Sequence, residues 1–167
     1  MLRKHILALC IILILASAAL VYAGLHFRGS ATLTSGSLRA SVDISGFGNN
    51  TDTVTVTLTA QGTDLTAMCQ NRGGNLAPGQ NPVNVSVSAS QTVSPGSNGS
   101  AEVNFHVNLL PSSQAAGCPN RNWKVVDLLG TIYVNLFAID NATGDSDTIN
   151  LVCFVNEAQQ QVTCSEV

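Results

Sequence analysis

Residues 53–60 read "TVTVTLTA", with Val54, Val56 and Leu58 separated one by one from Thr53, Thr55, Thr57 and Thr59. Strict alternation puts every apolar side chain on one face of an extended chain, because successive strand residues point to opposite sides. A helix would scatter the same residues around its circumference. The segment is a strand with one buried face and one wet, hydroxyl-rich face.

The same period runs outward in both directions. In "SLRASVDISG" (37–46), Leu38, Ala40, Val42 and Ile44 oppose Arg39, Ser41 and Asp43. "PVNVSVSAS" (82–90) places Val83, Val85 and Val87 against Asn84, Ser86 and Ser88. "AEVNFHVNLL" (101–110) places Val103, Phe105, Val107 and Leu109 against Asn104, His106 and Asn108. Turn clusters such as "GFGNNTD" (46–52), "SPGSNGS" (94–100) and "DNATGDSD" (140–147) separate these runs. No helical period appears after Leu25. About seven to nine short strands between turns predict an all-β fold, an antiparallel β-sandwich with an immunoglobulin-like Greek key as the preferred form.

The amino terminus has another character. Arg3 and Lys4 precede an uncharged run from Ile6 to Val21, which closes on Val21-Tyr22-Ala23. A basic start, an apolar stretch and small residues before a cleavage point describe a signal peptide, in a hydrophobic helix over 1–23. The alternative is an uncleaved anchor over residues 6–25, long enough to span a bilayer. Cys10 follows Leu9, which does not suit lipid attachment. Residues 24–37 read as a flexible lead-in and 38–167 as a single domain. Export is therefore expected, with no membrane contact once the leader is removed.

After Ala23 the basic residues are Arg28, Arg39, Arg72, Arg121 and Lys124, five against ten acidic residues, a net charge of about −5. An acidic domain without a basic patch repels phosphate backbones, which argues against nucleic acid as a partner.

Removal of Cys10 leaves Cys69, Cys118, Cys153 and Cys164, an even set suited to an oxidising compartment. Folding "CFVNEAQQQVTC" (153–164) into a hairpin with its turn at Ala158-Gln159 sets Val155 against Val162 and Cys153 against Cys164. Directly opposed strand residues lie about 4.5 to 5.5 Å apart at Cβ, close to disulfide reach. That register predicts a 153–164 bridge and leaves 69–118. The second bridge would tie "CQNRGGNLAPGQNP" (69–82) to "GCPNRNW" (117–123), with the glycines of the first loop supplying positive φ and its prolines ending strand pairing.

The motifs that suggest chemistry are thin. "NRGGN" (71–75) is glycine-rich, but a strand follows it and no lysine does, so it lacks the helix N-terminus of a phosphate loop. Beyond Ala23 the only histidines are His26 and His106, and no G-x-S-x-G elbow is present. His106 falls on the polar face of its strand. Carboxylate pairs for glycoside hydrolysis form only in space, and nothing here singles one out. The chain is expected not to be an enzyme, with an unrecognised hydrolase as the enzymatic alternative, and no cofactor is expected.

Asp140, Asn141, Asp145 and Asp147 concentrate oxygen ligands suited to calcium, although the spacing is not that of an EF-hand and Asp and Asn also simply favour turns. Cleavage after Ala23 would expose Gly24-Leu25-His26, whose amine, amides and imidazole can form a square-planar nitrogen set for Cu(II) or Ni(II). The row Thr53, Thr55, Thr57, Thr59 could order water as ice-binding surfaces do, but Thr is also an ordinary solvent-facing strand residue. Trp123, with Tyr133 and Phe137 about 13 Å apart at roughly 3.3 Å per residue, could stack on a glycan beside Arg72 and Asn75. Packing near the 69–118 bridge and over a sheet face is the plainer role for these aromatics. Sequons begin at Asn49, Asn84, Asn98 and Asn141.

The two cysteine-bearing loops, "CQNRGGNLAPGQNP" and "GCPNRNW", resemble those of small exported bacterial proteins that pair Asn/Gly/Pro loops with alternating strands. The resemblance covers roughly Val54 to Phe137. It implies an exported β domain with Cys69 and Cys118 paired, and it implies no activity. The sequence thus describes a secreted or cell-surface structural or interaction module whose partner is an unidentified protein, a glycan or a second copy of itself. The alternative is a carbohydrate-binding module built on Trp123 and the pinned loops.

Overall fold

The computed structural model describes residues 25–46, 53–156 and 161–167. The expected leader, most of "GFGNNTD" and the Ala158-Gln159 turn lie outside them. Among the described residues there are nine strands and no helix. They are β1 His26–Thr34, β2 Ser37–Ser45, β3 Val54–Gln70, β4 Leu76–Val93, β5 Ser100–Asn108, β6 Lys124–Asp140, β7 Ser146–Val155, β8 Gln161–Thr163 and β9 Ser165–Glu166. They form two sheets, in the orders β5-β2-β1-β8 and β4-β3-β6-β7-β9. Every pairing is antiparallel.

The inner faces are those that the alternation specifies. Leu38, Ala40, Val42 and Ile44 of β2 and Val103 and Phe105 of β5 meet Val54, Val56 and Leu58 of β3 and Val134, Leu136 and Ala138 of β6 in one buried cluster. The arrangement is sandwich-like, and no polar or charged side chain among the described residues is buried in it.

Three expectations are corrected. Residues 24–37 are no flexible lead-in, because β1 occupies His26–Thr34 and pairs with β2 from His26↔Ser45 to Thr34↔Ser37. Its inward positions are Phe27, Gly29, Ala31 and Leu33. Two small residues dilute the apolar signal, yet their size is needed: a Cβ on Gly29 would lie 2.8 Å from Leu136 Cδ1 and 3.2 Å from Ile149 Cδ1. The turn that follows, Ser35-Gly36, has φ of 46° and 68°, the two-residue geometry that matches strand twist.

The prolines do not end strand pairing either. Pro78 pairs with Met68 and Pro82 with Thr66 inside β4. They are tolerated because β4 is an edge strand, where an N–H can be missing without breaking an interior ladder. "TVTVTLTA" and "TDLTAMC" likewise belong to one strand, β3, with a register shift between Gly62 and Leu65.

The chain from Cys153 to Cys164 is not a simple hairpin. Gln161–Thr163 pair with Thr34–Thr32 of β1 in the smaller sheet, while Ser165 and Glu166 pair with Val152 and Leu151 of β7 in the larger one. The chain changes sheets at Cys164, a corner of the kind that joins packed sheets.

Candidate functional site

The loop at Asn71–Asn75 is the tip of the β3–β4 hairpin, closed by one side chain. Asn71 Oδ1 accepts from the N–H groups of Gly73 at 2.9 Å and Asn75 at 3.0 Å, and Asn71 N–H donates to the Asn75 carbonyl at 3.1 Å. Gly74 takes φ +82° with open space around it. Arg72 and Asn75 are exposed. The Cys69–Cys118 bridge, with Cα atoms 5.8 Å apart, sits just below the tip. Trp123 precedes Lys124, which pairs with Gln70, so Trp123, Arg72 and Asn75 share this end of the molecule. Trp123 is half-buried.

The bridge holds a second segment against the edge of β4. Gln80 and Asn81 N–H groups donate to the carbonyls of Gly117 and Ala116, each at 3.2 Å, and Asn81 Nδ2 donates to the Ala115 carbonyl at 3.3 Å. A Cβ on Gly79 would come within 2.3 Å of the Ala116 carbonyl oxygen. Only a residue without a side chain lets the two backbones approach this closely.

At the opposite end, Asp140 and Asp147 of the acidic turn each turn one carboxylate oxygen to the local backbone. Asp140 Oδ1 accepts from Ala142 N–H at 2.8 Å and Thr143 N–H at 3.3 Å, and Asp147 Oδ1 accepts from Thr148 N–H at 2.7 Å. Asp145 N–H donates to Thr143 Oγ1 at 3.2 Å. Asn141 Nδ2 donates to Thr53 and Thr55 at 2.9 and 3.0 Å. His26 lines a cleft of about 710 Å³ with Arg28, Asp43, Glu102 and Asp147, apart from Asp140 and Asp145. Among the described residues no group of three or more His, Cys, Asp or Glu is placed to hold a metal ion. Gly24, which the copper motif requires, lies outside them.

The two outward faces differ in chemistry. On the smaller sheet, Arg28 pairs across to Asp43 and Asp43 to Glu102, while Arg39 pairs to His106. His106 Nε2 lies 2.7 Å from Ser37 Oγ. The outer face of the larger sheet carries no charged side chain between its first and last full rows. Its rows run Thr92–Thr55–Ile139–Ser146, Ser90–Thr57–Phe137–Thr148, Ser88–Thr59–Asn135–Asn150 and Ser86–Gln61–Tyr133–Val152. The hydroxyls pair sideways, Thr55 with Thr92 at 3.0 Å and Thr57 with Ser90 at 3.1 Å. Asn135 Nδ2 donates to Asn150 Oδ1 at 2.9 Å.

Two large aromatic side chains stand out of this face, Tyr133 62% and Phe154 60% exposed, with Val167, 76% exposed, beside Asn150. Phe154 pairs with Thr131 and Tyr133 with Val152, so the rings are diagonal neighbours on adjacent strands.

The structure therefore divides the expected ligand-contact set. Trp123, Arg72 and Asn75 stand at the hairpin tip, whereas Tyr133 and Phe137 lie on the outer face, some ten or more residues along β6. Sequence reasoning missed Phe154. The signal for it was in "TINLVCFVN": Ile149, Leu151, Cys153 and Val155 already fill one face, so Val152 and Phe154 put apolar residues on the face that should be wet.

No protein-family model matches the chain, and no curated protein sequence matches it. Among solved structures it is similar to Bacteroides uniformis beta-glucuronidase 2 covalently bound to cyclophellitol-6-carboxylate aziridine, at 9% identity and a TM-score of 0.34. That likeness covers 78% of this chain and 13% of the enzyme. It carries no information on activity or substrate.

Proposed function

We propose that this chain is a secreted, non-catalytic interaction module of immunoglobulin-like Greek-key topology that docks a cell-surface partner through the outer face of its larger sheet. The topology is supported by strand order. With β1 to β7 taken as A, B, C, C′, E, F and G, the order β5-β2-β1 is E-B-A and β4-β3-β6-β7 is C′-C-F-G. The two disulfides suit an oxidising compartment. No helix among the described residues is long and apolar enough to cross a membrane. Residues 1–23 are removed in this reading, and intact mass spectrometry of exported protein should find Gly24 first.

The observation that carries the docking surface is the segregation of charge between the two outer faces. A sheet face that only meets water is normally decorated with charge, as the smaller sheet is. The larger face keeps Tyr133 and Phe154 in solvent, and its four full rows carry no charged side chain, which supports reading it as a surface that a partner covers. Lysine substitution tests it. Thr57→Lys and Asn135→Lys should abolish sedimentation of the purified protein with cells of its source, while Ser41→Lys on the other sheet should leave it intact. Equal retention of all three proteins would overturn the docking face.

A further inference from the structure

We infer that the occupant of this face is an uncharged polysaccharide lying along β6, its sugar rings stacked on Tyr133 and Phe154 and its hydroxyls held by Asn135, Asn150 and Gln61. The inference rests on the docking face proposed above and names the chemistry of what covers it.

Neutrality comes first. An anionic polymer would bring a charge to a face that offers no cation, and a protein partner with a charged rim would find no complement. A wholly apolar partner fits poorly too, because each aromatic residue here has an amide or a hydroxyl among its neighbours. Asn135 and Gln61 are outward neighbours of Tyr133 along and across the strands, with Val152 on its other side and Asn150 and Thr59 one row on. Sugar rings have the matching character: apolar C–H faces that lie on aromatic planes, and hydroxyl edges that both donate and accept.

The amide pair supplies that second half. Asn135 Nδ2 donates to Asn150 Oδ1 at 2.9 Å. This leaves a carbonyl oxygen on Asn135 and an NH₂ group on Asn150 without a partner in each other, one acceptor and one donor side by side. A hydroxyl needs both. Around them lies a shallow depression of about 150 Å³, in which Thr59, Gln61, Tyr133, Asn135 and Asn150 are joined by Val134, Leu151 and Val167. Diagonal neighbours on adjacent strands sit roughly 7–8 Å apart, so Tyr133 and Phe154 offer two ring-sized platforms. Phe137 lies about 13 Å further along β6 at roughly 3.3 Å per residue, in line with a linear chain of several sugars.

The test is affinity electrophoresis of the full exported chain in gels containing hydroxyethylcellulose, xyloglucan, mannan or dextran, with polygalacturonate as the charged comparator. At least one neutral polymer should retard the protein, and the retardation should persist in 0.5 M salt. Tyr133→Ala should weaken it by about tenfold, the size of a lost stacking contact. Tyr133→Phe should preserve it, and so should Ser41→Ala on the other sheet. Retardation by polygalacturonate alone would overturn the inference, as would undiminished binding in Tyr133→Ala/Phe154→Ala. If no neutral polymer binds but lysines at 57 and 135 still block docking to cells, the ligand class falls and the docking face stands. If neither responds, both fall.

Discussion

Cys153 faces Cys164 across the same register that pairs Val152 with Ser165 and Leu151 with Glu166, although the residues just before Cys164 belong to the other sheet. The bridge, with Cα atoms 4.3 Å apart, thus closes the corner at which the chain leaves β1 and joins β7. Cys164 N–H also donates to the Ala31 carbonyl at 2.9 Å, so this residue is tied to both layers.

Loss of either bridge should be costly and unequal. The loops closed span 11 and 49 residues in sequence, for which chain entropy gives about 3 and about 4 kcal/mol. Paired alanine substitutions at 153/164 and at 69/118, compared in urea unfolding, should rank in that order. A reversed ranking would place the larger share of stability in the corner.

Gly79→Ala should destabilise by about 1–3 kcal/mol, because its Cβ meets the Ala116 carbonyl and forces the 112–118 segment off the β4 edge. Hydrogen exchange at the Gln80 and Asn81 amides should quicken in the variant. Unchanged exchange would mean that the segment is held by the disulfide alone.

Leu58→Ala removes a fully buried side chain from β3 and should cost about 2–5 kcal/mol. Thr57→Ala, one residue away on the outer face, should stay within about 0.5 kcal/mol. Chemical denaturation of the two variants separates the faces directly.

The contribution of Asp127 to stability should fall as pH rises. Burial holds its carboxyl above the ordinary 3.8, against hydrogen bonds from the backbones of Leu128 and Gly36. Leu128 N–H donates to Oδ1 at 2.8 Å. The unfolded chain therefore releases the proton first, and stability present below pH 3.8 is lost as pH climbs through the raised value. Asp127→Asn keeps an acceptor and removes the titration. Its unfolding free energy relative to the parent should be higher at pH 7 than at pH 3.5, by less than about 1 kcal/mol because solvent still reaches the carboxyl. An equal offset at both values would mean that Asp127 does not titrate differently on folding.

The inner faces were legible in the sequence because alternation between apolar and polar residues is a local signal. Both disulfide pairings were legible too, one through register and the other by remainder. β1 was not, since Gly29 and Ala31 are small for reasons that exist only once Leu136 and Ile149 pack against them. The division of Trp123 from Tyr133 was invisible for a related reason: residues that look close in the chain are separated along a strand of 17 residues, while Phe154 arrives beside Tyr133 through pairing. Gly79 is the extreme case, because its partner is a backbone carbonyl 37 positions away.

The two bridges also join each cysteine to the next one along the chain, Cys69 to Cys118 and then Cys153 to Cys164. If Cys10 is removed with the proposed leader, a chain delivered from its amino terminus presents each correct partner before a competing thiol arrives. Oxidation in the order of emergence then gives the native pairing without reshuffling. Refolding of the reduced protein in an oxidising buffer should therefore reach the native pairing at the same yield with or without a disulfide isomerase.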